Sequence, residues 1–139
     1  MRNFKPILLV EDDNLDALTI QRAIDQLGGA HSLVRAKDGE EALEYLMDAS
    51  AQKPCLILLD LNMPRMNGIE FLGAAKADDR LRRIPVVVLT TSQEPRDVSA
   101  SFDFSVAGYV VKPVDYEQFV DSMRIIDQYW TLSELPVIS

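Results

Sequence analysis

Four short runs in this chain are almost wholly apolar: "ILLV" (7–10), "CLILL" (55–59), "PVVVLT" (85–90) and "GYVV" (108–111). A strand with one face in water alternates polar and apolar residues. An unbroken apolar run needs cover on both faces, which marks a parallel sheet with helices on either side. The segments between the runs have helical spacing. From Asn14 to Leu27, residues Leu18, Ile20, Ala23, Ile24 and Leu27 fall mostly on one helical face, and Gly28-Gly29 supplies a stop. "SLVRA" (32–36) reads as a further strand. "GEEALEYLM" follows Asp38, with Glu41 spaced as in a capping box and Ala42, Leu43 and Leu46 as the apolar stripe. Residues 68–77 give a third helix, Pro95 opens a fourth at a first-turn position, and 116–130 form a fifth. Strand then helix, five times over, with right-handed crossovers, predicts an open, doubly wound, five-stranded parallel α/β domain. Its functional crevice is expected outside the carboxyl ends of the strands.

Length and charge narrow the class. A chain of 139 residues is one domain with a single core; the core is expected over about 6–130, with 131–139 as a tail. The net charge of −8 opposes the counterion release that drives nucleic-acid binding, and no basic stripe compensates, so no nucleic acid is expected. The apolar runs are too short to span a bilayer and "MRNFKP" has no signal-peptide core; the expected location is the cytoplasm, with no membrane contact. One cysteine, Cys55, excludes an internal disulfide and suits a small buried hydrophobe. His31 lacks the partners of a metal site.

The chemistry gathers where the runs end. The first closes on Glu11-Asp12-Asp13, the third strand on Asp60, the fourth on Thr90-Thr91-Ser92 and the fifth on Lys112-Pro113. Any of these has a plain structural reading: an acidic triplet is commonly a solvated helix start, and a strand-end Asp commonly a cap. Brought to one edge together, three carboxylates repel, raise at least one pKa and call for a hard divalent cation with oxygen ligands, for which magnesium (Mg2+) is the natural choice. Such an ion leaves Asp60 an oxygen with which to act as a nucleophile, while a Thr90 hydroxyl and a Lys112 ammonium suit a phosphoryl group.

The segments "LLVEDD", "LILLDLNMPRMNG", "PVVVLTTS" and "GYVVKP", in this order, resemble the CheY-like receiver domain of two-component response regulators. The resemblance implies a flavodoxin-like fold, with Asp60 as phosphoacceptor, Glu11 and Asp12 as the acidic pair for the ion, and Asn62 lending its backbone carbonyl. It implies Thr90 and Tyr109 as a switch pair, Lys112 as the lysine that contacts a phosphoryl oxygen, and a cis peptide before Pro113. Asn62, Thr91 and Ser92 fall at positions that tune the phosphate's lifetime, and Asp13 reads as a loop residue or helix cap. "RDVSASF", Tyr129-Trp130 and Leu135-Pro136 further resemble the stand-alone regulators of bacterial and cyanobacterial phytochromes. That likeness implies a sensor histidine kinase as donor, in this subfamily a bacteriophytochrome. It also implies a homodimer through the fourth helix, fifth strand and fifth helix together with the tail.

On this reading the chain is not an enzyme; with no output domain after residue 139, its output is protein–protein interaction. Two alternatives stand beside it. One is a receiver-like binding module that never takes phosphate. The other is an aspartyl-phosphate phosphatase of the haloacid dehalogenase type. That chemistry needs a second acid two residues after the nucleophile, where this chain has Asn62.

Overall fold

The computed structural model describes residues 5–27, 32–112 and 115–132, with side chains as far as Ile125. Gly28-Gly29, His31, Pro113 with its peptide, the side chains of Tyr129 and Trp130, and Leu135-Pro136 lie outside the described residues. Five strands, β1 (Ile7–Val10), β2 (Leu33–Ala36), β3 (Leu56–Leu59), β4 (Val86–Thr90) and β5 (Gly108–Val111), alternate with five helices. The helices are α1 (Asn14–Asp25), α2 (Gly39–Met47), α3 (Gly68–Ala77), α4 (Pro95–Asp103) and α5 (Tyr116–Leu132). All pairings are parallel and the strand order is β2-β1-β3-β4-β5. Order therefore reverses between β1 and β3, and the crevice beyond their carboxyl ends is where open α/β sheets bind ligands.

The unbroken apolar runs are explained by two cores. Leu8, Val10, Ile57, Leu59, Val86 and Val88 point to one face and pack with Ala42, Leu46, Phe71 and Leu72 of α2 and α3. Ile7, Leu9, Leu56, Leu58 and Leu89 point to the other and pack with Ala17, Ile20, Ile24 and Met123 of α1 and α5. Strand residues alternate between faces, so burial on both requires every position to be apolar.

Some expectations need correction. Leu18 is not on the buried stripe of α1: it is exposed, and Ala17 takes the inward place because the helix turns 100° per residue. The helix ends at Asp25, two residues before Leu27, and Leu43 in α2 is half-buried. Cys55 precedes β3 and is half-buried, its thiol donating to the Lys5 carbonyl. The α2 capping box forms by half. Asp38 Oδ1 accepts from the Glu41 amide at 3.0 Å, but the Glu41 carboxylate takes the Lys37 amide, not that of Asp38. A complete capping box opens α3 instead, between Asn67 and Glu70. Asp13 caps α1 as expected, accepting from the Asp16 amide at 2.9 Å.

Candidate functional site

Each strand-end residue is set by a backbone bond that carries the parallel ladder one step beyond its strand. Glu11 N donates to Ala36 O at 3.0 Å, Asp60 N to Val10 O at 3.0 Å and Lys112 N to Thr90 O at 2.7 Å. The sheet thereby brings Glu11, Asp12 and Asp60 together, with one carboxylate oxygen from each inside a span of 4.8 Å. Glu11 and Asp60 are buried, while Asp12 is exposed. Arg35 of β2 braces the acidic loop from outside, donating through Nε to the Glu11 carbonyl at 3.0 Å and through Nη1 to Asn14 Oδ1 at 2.9 Å.

Electrostatics follow from this crowding. Burial pushes the Glu11 carboxyl up to about 7; the Asp60 charge adds to the rise, and hydrogen bonding to Lys112 only partly opposes it. The repulsion anticipated from the sequence is thus present, but loss of solvent is the larger cause. Lys112 Nζ lies 2.7 Å from Glu11 Oε1, 2.7 Å from Asp16 Oδ2 and 4.0 Å from Asp60 Oδ2. Burial works against its charge, yet the hydrogen bonds to Asp16 and Glu11 outweigh it and hold the ammonium above the usual lysine value.

The remaining predicted residues line the rim. Thr90 is fully buried; its hydroxyl accepts from the Ser92 amide at 3.4 Å and from Asn62 Nδ2 at 3.5 Å. Asn62 is exposed, its amide pointing to Asp60 Oδ1 at 3.3 Å and its Nδ2 to Thr91 Oγ1 at 3.3 Å. Thr91 is exposed. Ser92 is half-buried, donating to the Asp97 carboxylate of α4, and its carbonyl receives the Tyr109 hydroxyl at 2.9 Å. Tyr109 is therefore tied to the β4–α4 connection, and burial raises its hydroxyl pKa. A cleft of about 450 Å³ opens beside Asp12, Asn62, Asn67 and Asp97. A second, of about 330 Å³, lies between α1 and α5 past Lys112.

The sequence reading missed three residues. Asp16 stands three positions after Asp13, the cap of α1, so spacing could have placed it in the first helical turn beside the acidic loop. Arg35 is a charge inside an apolar strand. Arg65, in left-handed backbone at φ 61°, bonds the buried Asp38 carboxylate through Nε at 2.9 Å and also through Nη2. With Gly39 N donating to Met66 O at 3.2 Å, this pins the loop after Asp60 to the start of α2.

Oxygen donors at the switch point of an open parallel sheet, beside a hydroxyl and an ammonium, define an α/β domain equipped for phosphoryl chemistry near a divalent ion. Residues 7–124 match the response regulator receiver domain, and the chain belongs to that family. It is 37% identical over 130 residues to response regulator Rcp1 of Synechocystis sp., across 91% of this chain and 88% of that protein. It is 39% identical over 127 residues to the probable methanogenesis regulatory protein FilR2 of Methanothrix harundinacea, across 89% and 82%. The crystal structure of the phosphorylated cyanobacterial phytochrome response regulator RcpA matches at TM-score 0.84 and 40% identity, covering 96% of this chain and 99% of that one. The Mn(2+)-bound form of Rcp1 matches at 0.83 and 36%, with the same coverage. The chain is thus a receiver-domain response regulator, a homologue of phytochrome response regulators, in a class controlled by phosphorylation of an aspartate in two-component signalling. Among the described residues no helix is long and apolar enough to cross a membrane.

Proposed function

We propose that Asp60 is the phosphoacceptor of a single receiver domain, that a sensor histidine kinase is the donor, and that output is a change of surface read by another protein. The carrying observation is the buried Asp60 carboxylate, with Glu11 and Asp12 oxygens within 4.8 Å and an ammonium 4.0 Å away. An Asp60 oxygen attacks phosphorus, the bond from phosphorus to the donor's imidazole nitrogen breaks, and an acyl phosphate forms on Asp60. Lys112 is the cation that meets a phosphoryl oxygen, and the buried Thr90 hydroxyl is the neighbouring donor. Tyr109 follows Thr90 through Ser92, whose backbone holds both hydroxyls.

The donor set fits magnesium: all oxygen, two carboxylates buried, and one of them driven to about 7 by burial, with the Asp60 charge adding to the rise. Glu11, Asp12, Asp60 and the Asn62 backbone carbonyl would hold the ion, which when bound would offset charge on the attacking carboxylate and the phosphoryl oxygens. The Mn(2+)-bound Rcp1 supports a divalent ion here. A phytochrome-type kinase is supported by the likeness to RcpA. A homodimer is supported by β5, which is the sheet edge with all four residues half-buried, and by exposed Phe102 on α4 and Ile125 on α5.

Intact mass after incubation with acetyl phosphate tests the reading. A gain of one phosphoryl group that requires magnesium is expected; no gain under any condition overturns it in favour of a constitutive binding module. Lys112→Ala is expected to keep part of this labelling while the sizing-column shift between labelled and unlabelled protein disappears. A shift of wild-type size would remove Lys112 from the switch.

The Glu11 value sets a pH dependence. An ion binds the deprotonated carboxylate, so affinity is full above about 7 and falls as protons compete below it. Without the ion, the folded protein holds this proton between the ordinary 4.5 and about 7, a range in which the unfolded chain has lost it. Stability of the ion-free fold therefore falls as pH rises through that window, and magnesium restores it. Calorimetric titration with magnesium is expected to show about tenfold weaker binding at pH 6 than at pH 8, with proton release on binding at pH 6 to 7. Equal affinities would place the Glu11 carboxyl in the ordinary range.

A further inference from the structure

We propose that Asp16 is a positioning residue that competes with the phosphoryl group on Asp60 for the ammonium of Lys112, and so sets how readily the domain takes phosphate. The inference rests on Asp60 as acceptor and Lys112 as its cation. An ammonium has three protons to give. Lys112 directs two of them to Glu11 and Asp16, each at 2.7 Å, while Asp60 stays at 4.0 Å, beyond hydrogen-bond reach. The third proton is uncommitted, but at 4.0 Å from Asp60 the ammonium must move toward the acceptor to share in a phosphoryl group there, and that movement stretches the two bonds that hold it at rest.

The two partners are not equivalent. Glu11 belongs to the acid cluster, so a divalent ion bound there competes with Lys112 for it; Asp16 lies outside the cluster and its hold is not relieved that way. Glu11 is 1% exposed, and breaking its pair would strand a buried charge. Asp16 is 43% exposed, so water can take over its carboxylate when Lys112 leaves. It projects from the first turn of α1, reached by Lys112 from the end of β5. The pair lines the 330 Å³ cleft together with Thr19, Tyr116 and Phe119, which gives the lysine stem room to swing. Asp16 thus restrains the resting ammonium with an attachment that can be released.

An acid in a first helical turn also favours the helix itself, and loss of any negative charge eases the approach of an anionic phosphodonor. The test separates these. Initial rates of phosphoryl uptake from acetyl phosphate with magnesium are measured by intact mass on the full chain. The proteins are the wild type, Asp16→Asn, Asp13→Asn, Lys112→Ala and Asp16→Asn with Lys112→Ala. Asp13→Asn removes the same charge nearby and keeps a good N-cap. Asp16→Asn is expected to label about two- to fivefold faster, the range of a partly exposed ion pair, and Asp13→Asn at about the wild-type rate. Adding Asp16→Asn to Lys112→Ala is expected to change little.

Equal acceleration by Asp13→Asn, or the same acceleration with Lys112 absent, would show a field effect and overturn the inference. So would an Asp16→Asn rate at or below that of the wild type. A wild type that gains no phosphoryl group overturns the reading of Asp60 and this inference with it. A wild type that labels normally beside an unchanged Asp16→Asn overturns this inference alone.

Discussion

Asp60→Asn is expected to take up no phosphoryl group from acetyl phosphate in magnesium, a loss of about a hundredfold or more in intact-mass labelling. The carboxamide keeps the size and planarity of the carboxylate, and the backbone bond from residue 60 to Val10 O does not involve the side chain. What disappears is the nucleophilic oxygen, for which an amide oxygen is no substitute. The fold should persist and gain stability at neutral pH. Asp60's charge is one cause of the elevated Glu11 value, so neutralising it brings that value down and eases a repulsion carried by the native state alone. Thermal unfolding without divalent ion, at pH 7.5, is therefore expected at or above the wild-type midpoint. Stoichiometric labelling of the variant would mean that the acceptor is another residue. A lowered midpoint would mean that Asp60 is chiefly structural.

The sequence made the architecture legible because burial on two faces leaves a local mark. Each unbroken run, such as Ile7–Val10 or Leu56–Leu59, states that both of its faces are covered, and parallel order follows. The meeting of the candidate site's residues was legible for the same reason: Glu11, Asp60, Thr90 and Lys112 each sit at or one residue past a strand end, and a parallel sheet aligns those ends. Pairings across long separations left no such mark. Lys112 meets Asp16 from 96 residues away, and Arg65 meets Asp38 across 27. Nothing in either local pattern says which acid a base will reach. Leu18 shows the same limit on one helix, where being apolar did not decide which side faced the sheet. The Asn67–Glu70 box was readable from its spacing and went unread, whereas the box read at Asp38 had its second half diverted to Lys37.

Gly68→Ala and Gly73→Ala, five residues apart in α3, are expected to change stability in opposite directions. A Cβ on Gly68 would lie 2.6 Å from Leu61 Cα and 2.7 Å from the Asp60 carbonyl oxygen, where real Cβ atoms are essentially never found. Both obstacles are backbone, so no rotamer change relieves them. Gly68 N also donates to Leu61 O at 3.0 Å, closing the loop that carries Asn62, and that bond holds the two segments at the distance a methyl group cannot fit. The expected loss is about 3 kcal/mol, the upper part of the range for overpacking. At Gly73 an added Cβ meets only Phe104 Cζ, at an ordinary 3.7 Å, so alanine brings its better helix propensity and a gain approaching about 1 kcal/mol. Denaturant unfolding of the two variants reads both signs. Function should divide them further: relief of the Gly68 clash moves the 60–62 segment, which holds the acceptor and the Asn62 carbonyl, and displacements of this kind slow reactions by about tenfold or more. Gly73→Ala should label at the wild-type rate. If Gly68→Ala proves as stable and as readily phosphorylated as the wild type, the close approach between the end of β3 and the start of α3 is not what fixes Asp60.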